Sequence, residues 1–404
     1  MAARSLLLRR NRAFRRLWLA RVVSFLGDSM GLVALILYVA GEVGSGTAVA
    51  LLLLAGDFTP TLLSPLIGAL ADRLERRRLL IACELGQALT VGIIVIAEPP
   101  LTVLLALVAI GGLLASLFQA AARSAVPEMV ADHELEHANA LIGGGTYGLE
   151  ALGPLMAAVL LPFMSPRGVL AIDAATFLVS PLLLAGLPRM SSAVRSGRHE
   201  RLSAAARTGI SYIWRHHILR PVALAFVVVV AFNGVDDVAL VFLGRDTFAA
   251  GDSGVSLLYA ASGLGLLIGF VLFVSRATRS PPVTIAIAGF VIGSAGNLLT
   301  GLSPVIATAF AMQLVRGIGV SLMEVGPTTL LQRTVPRGFL GRVFANLYGA
   351  IGLAAGLSYL VGGPLLDRLS PRTVLVIAGT GGIATSAILA VWMLRSRGQA
   401  GADA

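Results

Sequence analysis

Long runs of apolar residues, each about 20 residues in length, recur along the whole chain. An α-helix needs that length to cross roughly 30 Å of hydrocarbon. Only 13% of the 404 residues are charged, too few to cover the surface of a soluble protein. The sequence therefore predicts an all-α polytopic membrane protein with twelve transmembrane helices. The approximate limits of the runs are 15–41, 47–71, 79–97, 101–122, 138–162, 168–187, 219–243, 254–275, 283–301, 304–328, 343–365 and 373–394.

The arginines predict the orientation of these spans. If the N-terminus is inside, 25 arginines fall in cytoplasmic segments and 4 in external loops, while Arg21 and Arg316 lie within spans. Because inner loops carry the excess of positive charge, we expect both termini to be cytoplasmic, in a bacterial inner membrane. The net charge of +10 is then a property of membrane topology and does not indicate nucleic-acid binding.

Several functional classes are excluded or disfavoured by composition. All 31 basic residues are arginine, so the chain has neither the lysine of a nucleotide-binding P-loop nor one that could form a Schiff base. The single cysteine, Cys83, cannot form an intrachain disulfide. The stretch "HELEH" at 133–137 matches a zinc-helix pattern, but it lies between two spans and no third ligand is evident. We therefore expect no metal, no cofactor, no nucleotide and no enzymatic activity.

The two halves of the chain repeat one another. "FMSPRGVLAI" at 163–172 matches "RLSPRTVLVI" at 368–377, and Gly153-Pro154 corresponds to Gly363-Pro364. A repeat of this length predicts two six-helix bundles, as in many secondary transporters. The predicted domains are an N-terminal bundle at 1–188, a basic cytoplasmic linker with an amphipathic helix at 189–217, a C-terminal bundle at 218–397 and a disordered tail at 398–404.

The loop after the second predicted span, "GALADRLERRR", resembles the cytoplasmic signature of the major facilitator superfamily. Glu75 stands where that signature has its second glycine. "VPEMVADHELEHANAL" and "LLQRTVPRGFLGRVFANL" resemble the bacterial branch that includes the enterobactin exporter and macrolide-efflux permeases. The resemblance implies two bundles that rock about a central cavity, with the signature acting as a cytoplasmic gate. The matching residues are Gly68, Asp72, Arg73, Arg76 and Arg77.

Charged residues within the spans are the candidates for function, because a charge at the bilayer centre costs about 2.5–3.5 kcal/mol. Buried carboxylates can exchange protons near neutral pH, as coupling to a proton gradient requires. Asp28, Asp236 and Glu324 are the strongest candidates, since the resemblance places their spans at the cavity. The sequence does not decide between Asp236 and its neighbour Asp237. The full set for proton coupling or substrate binding is Asp28, Asp236, Asp237, Glu324, Arg316, Arg21 and Glu150.

Two spans each carry a basic and an acidic residue at helical spacing. Arg21 and Asp28 are seven residues apart, and Arg316 and Glu324 are eight apart, so each pair shares a helix face. Asp57 and Glu84 are interpreted mainly as members of interhelical pairs or as helix caps.

Together these features predict a secondary active transporter, a monomer in the lipid bilayer, that exports a small amphipathic drug or metabolite by proton antiport. Such a protein would confer multidrug resistance. Gly153-Pro154 in span 5 partly resembles the antiporter signature of the family. Two alternatives stay open. One is export of a siderophore or another anionic metabolite, bound by Arg21 and Arg316. The other is a lipid-handling or non-transporting membrane protein.

Overall fold

The computed structural model describes residues 7–63, 67, 70, 74–131, 134–190, 202–274 and 280–402. Within these ranges the regular structure is helical and contains no strand. The first six helices stand at the positions of the first six predicted spans. They are α1 (Arg12–Val43), α2 (Gly46–Leu62), α3 (Arg76–Ala97), α4 (Leu101–Met129), α5 (Leu135–Leu160) and α6 (Pro166–Leu184).

A helix of the predicted linker, α7 (Leu202–Arg215), precedes six helices at the positions of the remaining spans. Ten of the helices in the described part are long and apolar enough to cross a membrane, and α2 is a shorter apolar helix. The last six are α8 (Leu219–Thr247), α9 (Gly251–Val274), α10 (Pro282–Leu302), α11 (Ile306–Thr334), α12 (Arg337–Leu366) and α13 (Pro371–Ala402).

Several helices extend beyond the apolar runs that predicted them. The fourth and tenth spans were predicted to end at 122 and 328, but α4 and α11 continue to Met129 and Thr334. Each passes through an internal proline, which neighbouring helices in a membrane bundle make tolerable. The last helix reaches Ala402, where a disordered tail had been predicted from 398, because no proline interrupts it.

Local sequence explains where individual helices begin. The Asn11 side chain caps α1 by accepting a hydrogen bond from the Phe14 amide at 2.9 Å. Ser165 caps α6, whose first residue is Pro166. Asparagine and serine are favoured caps because their oxygens satisfy amides that have no partner inside the helix, and proline fits the first helical position.

The chain divides into two compact units, residues 1–44 with 51–196 and residues 45–50 with 197–404. The first contains a core packed around Phe14, Leu17 and Phe118. The second contains one around Phe226 and Phe290, whose ring centroids are 5.3 Å apart. The domain limits drawn from the sequence, at 188 and 218, stay a prediction.

Asp367, directly after α12, explains why residues 45–50 group with the second unit. Its carboxylate accepts hydrogen bonds from the Gly46 amide at 2.6 Å, the Ser45 hydroxyl at 3.1 Å and the Thr47 amide at 3.3 Å, and so caps the start of α2. Partial burial raises the pKa of Asp367, but the hydrogen bonds from Thr47, Gly46 and Ser45 outweigh it, and the net shift is downward.

Candidate functional site

Two acidic side chains of the second unit, Asp236 and Asp237, lie near Arg316 of α11. The Arg316 guanidinium forms an ion pair with Asp236 of α8 and lies 3.9 Å from the carboxylate of Asp237. It also donates a hydrogen bond of 2.7 Å to the Ser262 hydroxyl of α9. We call Arg316, Asp236, Asp237 and Asn297 the Arg316 cluster.

The backbone explains how the two aspartates reach this position. Within α8, regular helix stops at Asn233 and resumes at Asp236, with Gly234 and Val235 between the two segments. Gly296 allows α10 to approach α11 closely, because an added Cβ at this position would lie 2.7 Å from the Arg316 Cα. Helices α8, α10 and α11 therefore meet closely enough for short side chains to interact.

Amides extend the Arg316 cluster into α10. The Asn297 amide nitrogen donates to Asp236 Oδ2 and to Asn233 Oδ1, each at 2.8 Å. Asn233 in turn donates to the Ser294 hydroxyl at 3.2 Å. Asn297, Asn233 and Ser262 are not among the residues predicted from the sequence. The available signal was two asparagines inside apolar runs, where an amide needs a polar partner.

Asp236 and Asp237, which the sequence could not separate, occupy different environments. Asp236 is 1% exposed and contacts Arg316 and Asn297, whereas the Asp237 side chain is 37% exposed. Asp236 Oδ1 is buried and has no hydrogen-bond partner among the described residues. One oxygen of this carboxylate is thus bound by two donors, whereas the other has no donor among the described residues.

Glu324, the third strong candidate, has partners of its own. Its carboxylate accepts a hydrogen bond from the Tyr348 hydroxyl of α12 at 3.2 Å, and that hydroxyl lies 3.0 Å from the Thr328 hydroxyl. Although Arg316 and Glu324 are predicted to share a helix face, the ion pair that Arg316 forms is with Asp236 of α8.

In the first unit, the candidates separate into buried and exposed groups. Arg21 is buried, and the positive charge of Arg123 on α4 acts on it. Asp28 and Asp57 are exposed, and Asp57 lies in a π-helical turn of α2, Leu54–Phe58. Neither Asp57 nor Glu84 forms an ion pair within the described ranges, but the hydroxyls of Ser24 on α1 and Ser180 on α6 face the Glu84 carboxyl group. The interpretation of these two acids as interhelical partners or helix caps stays a prediction. The Glu150 side chain lies outside the described residues.

The gate signature is only partly visible. Gly68, Asp72 and Arg73 lie outside the described residues. Arg76 is buried, forms an ion pair with Glu128 of α4 and donates from Nε to the Ser124 hydroxyl at 3.1 Å. Arg76 therefore contacts α4 of its own unit. Arg77, the remaining signature residue, contributes its backbone amide to a cap at Glu75.

Glu75, the departure from the family signature, has a structural explanation. Its carboxylate caps α3 by accepting hydrogen bonds from the amides of Arg77 and Arg78, at 3.2 and 3.0 Å, and it also accepts from the Met190 amide. Burial alone would raise the pKa of Glu75, but the three amides and the Arg78 charge lower it overall. A glycine would provide none of these contacts.

Comparisons with known sequences give consistent results. The family model of the Major Facilitator Superfamily matches residues 17–345. The chain is 24% identical to the uncharacterized MFS-type transporter YfiS of Bacillus subtilis (strain 168), over 92% of this chain and 91% of the relative. It is 20% identical to macrolide efflux protein A of Streptococcus pyogenes, over 91% and 92% of the two chains.

Solved structures resemble this chain in fold. The nucleoside transporter NupG aligns with a TM-score of 0.75 at 12% identity, covering 94% of this chain and 99% of that one. A bacterial metal transporter aligns with a TM-score of 0.66 at 15% identity, covering 95% and 98%. At such identities the likeness concerns the fold alone.

Proposed function

This chain belongs to the Major Facilitator Superfamily, and from that premise we propose that it exports a small amphipathic molecule, a drug or a metabolite, by proton antiport. Family membership makes it a multi-pass membrane transporter with a small-molecule substrate. Export, the coupling ion and the substrate class are the parts that the proposal adds.

The Arg316 cluster is the observation that carries the proposal. Antiport requires a group within the membrane that alternates between two protonation states. Asp236 is buried, its Oδ2 is bound by Arg316 and Asn297, and its Oδ1 has no hydrogen-bond partner in the described part of the chain. Proton binding at Oδ1 would neutralise the carboxylate and weaken its attraction for Arg316.

A second carboxylate is available to receive the arginine. Asp237 lies 3.9 Å from the same guanidinium nitrogen that contacts Asp236. A proton on Asp236 would therefore favour movement of Arg316 toward Asp237. Because the aspartates follow the interruption of α8 and Arg316 belongs to α11, this exchange of partners would change the contact between two helices. That is how protonation would bias one conformation over another.

Two observations support the substrate class. One relative is named a macrolide efflux protein, and macrolides are amphipathic. In addition, Arg316 already faces two carboxylates and a hydroxyl, which leaves its charge less available to an anionic substrate. The siderophore alternative is therefore less favoured than export of a neutral or cationic molecule.

The arginine distribution supports a bacterial inner-membrane location with cytoplasmic termini, and we propose that the protein acts as a monomer. The signature residues Gly68, Asp72, Arg73, Arg76 and Arg77 form the cytoplasmic gate in this proposal. The ion pair of Arg76 with Glu128 would support that region by joining the start of α3 to α4.

Transport into everted membrane vesicles tests the proposal. Vesicles that contain the protein are supplied with a macrolide, a cationic dye and a siderophore, with and without an uncoupler that dissipates the proton gradient. We expect the macrolide or the dye to accumulate only when the gradient is present. Asp236→Asn should lose this accumulation because asparagine cannot exchange a proton.

Asp252→Asn is the matched control, since Asp252 pairs with Arg245 at the start of α9, away from the Arg316 cluster. This variant should transport like the unaltered protein. Gradient-independent movement of every compound, or full gradient dependence in Asp236→Asn, would contradict the proposal. Accumulation only in right-side-out vesicles would reverse its direction.

A further inference from the structure

Three carboxyl groups of the first unit converge on one face of α1. Asp28 belongs to α1, Glu84 to α3 and Asp173 to α6. Asp28 lies close enough to Glu84 and Asp173 for its charge to affect both carboxyl groups, and the charge of Glu84 also affects Asp173. We call these three residues the N-half carboxyl cluster. Asp173 is not among the residues that the sequence identified as candidates.

The two inner members of this cluster are enclosed by protein. Glu84 is 0% exposed and Asp173 is 3% exposed. Both Glu84 oxygens and Asp173 Oδ1 are buried without a hydrogen-bond partner of ordinary geometry among the described residues. The hydroxyls of Ser24 and Ser180 face the Glu84 carboxyl without reaching that geometry. Unpartnered acceptors therefore point into a space that already holds other carboxyl groups.

Close helix packing holds Asp173 in this position. Its carboxyl group lies against Gly27 and Gly31 of α1, where any larger residue would collide with it. Glycine at both positions brings α6 onto the α1 backbone and leaves the carboxyl group no route to solvent on that side. The burial of Asp173 thus depends on two residues of another helix.

The charged groups around the N-half carboxyl cluster do not balance it. Asp57 of α2 acts on Asp28 and adds a fourth acid. On α1, Arg21 is one turn from Ser24. The charge of Arg123 on α4 acts on Arg21, which also interacts with another group. No ion pair joins a cation to Asp28, Glu84 or Asp173 within the described ranges. The Glu150 side chain on α5 lies outside them.

Burying an ionised carboxylate without a partner is so costly that the group takes up a proton instead. We propose that Glu84 and Asp173 hold a proton within the first unit, and that the exposed Asp28 exchanges it with water. A proton from water binds Asp28; it then passes to a Glu84 or Asp173 oxygen as Asp28 returns to its ionised form. This site deepens the proposed antiport, on which its role in transport rests, by adding a second proton-binding group beside the Arg316 cluster.

Infrared spectroscopy of the purified protein in lipid nanodiscs tests this site without any substrate. A protonated carboxyl group has a carbonyl band that ionised carboxylates lack. We expect such a band near neutral pH in the unaltered protein and its reduction in Glu84→Gln and in Asp173→Asn. Asp28→Asn should retain the band but slow its shift when the sample is moved into heavy water. Glu42→Gln, which removes an exposed acid at the end of α1, should change neither.

The outcomes are decisive even if one variant fails to fold. Absence of a protonated carboxyl band in the unaltered protein overturns the proposal regardless of any variant. A band that survives unchanged in a folded Glu84→Gln or Asp173→Asn protein also overturns it. Failure of the antiport proposal would appear separately, as vesicle transport that ignores the proton gradient while the infrared band is still present. If antiport holds, Glu84→Gln should flatten the dependence of transport rate on pH.

Discussion

The two units surround their intramembrane acids with different partners. In the second unit, Asp236 meets the cation of Arg316 and the amide of Asn297. In the first, Glu84 and Asp173 lie near each other and Asp28, and the charge of Arg123 acts on Arg21. A paired carboxylate is stabilised in its charged form, whereas a buried unpaired one is stabilised by a proton. The repeated halves therefore provide two different electrostatic environments on similar helical frameworks.

Removal of Arg316 should have the largest effect on this comparison. Arg316→Met leaves Asp236 buried without its counter-charge, which should cost about 3–5 kcal/mol in the free energy of unfolding. The melting temperature of the detergent-solubilised protein measures the change. Adding Asp236→Asn to this variant should recover most of the loss, because the unopposed charge is then gone.

The control for that experiment is Arg245→Met, which breaks a partly exposed pair with Asp252. Exposed pairs contribute about 1 kcal/mol or less. If Arg316→Met melted at the same temperature as Arg245→Met, the second unit would not depend on charge pairing, and the contrast between the units would disappear.

Neutralising one acid in each unit should give different results. Asp236→Asn removes the main partner of Arg316, and hydrogen bonds to charged groups are worth about 1.5–3 kcal/mol. Glu84→Gln should leave the melting temperature nearly unchanged, because Glu84 has no ion pair to lose and the amide, like a protonated carboxyl group, is neutral when buried. Equal destabilisation by the two substitutions would show that Glu84 is also a charged structural partner.

Glycine substitutions test how closely the helices carrying these acids are packed. Gly296→Ala would place a methyl group 2.7 Å from the Arg316 Cα, where backbone must move, and should cost about 1–3 kcal/mol. Gly31→Ala should cost less because it meets the Asp173 side chain, which can turn aside. Gly92→Ala on α3 is the control, since nothing lies within 4 Å of its added methyl. A Gly31→Ala protein less stable than Gly296→Ala would contradict this ranking.

The smallest expected change in stability comes from acids outside the membrane, because in both units hydrogen-bond donors stabilise these carboxylates. Asp367 has a lowered pKa, so its stabilising contribution is present above its ordinary value of 3.8 and is lost as the pH falls through the lower folded-state pKa. Asp367→Asn should cost about 1 kcal/mol at neutral pH, because a single neutral oxygen replaces a charged carboxylate that accepts hydrogen bonds at both oxygens. Its melting temperature should approach that of the unaltered protein in strong acid.

Glu98→Gln, which alters another carboxylate paired at a helix end, is the control for this pH series. Glu75 of the first unit should behave like Asp367, because amide hydrogen bonds also lower its pKa. A constant difference between Asp367→Asn and the unaltered protein at every pH would mean that the carboxylate charge does not matter at this cap.

Much of the fold could be predicted from the order of the residues. Apolar runs gave helices at all twelve predicted positions in the described part of the chain, and the superfamily followed from motifs that cover most of its length. Helix ends were less predictable. Pro127 and Pro327 lie inside α4 and α11, although proline usually favours a break, because packing against neighbouring helices compensates for the lost hydrogen bond.

The candidate site was only partly predictable. Depth along a helix identified Asp28, Asp236, Glu324 and Arg316 as charges in the membrane, since 1.5 Å per residue gives an approximate height. The sequence was a weaker guide to the direction in which each of these side chains faces around its helix axis. Helical spacing places Arg316 and Glu324 on roughly the same face, but an acid on an adjacent helix can pair with the arginine as well, and Asp236 is the partner that the structure reveals.

By itself, then, the sequence determined what must be inside the membrane and which side chains are costly there, because burial in hydrocarbon depends on composition and length. Only the tertiary structure decided which of those side chains are paired. Pairing requires atoms from different helices to meet within a few ångströms, and that depends on contacts such as Gly296 against Arg316 or Gly31 against Asp173. Those contacts separate Asp236 from Asp237, and they bring Glu84 and Asp173 together.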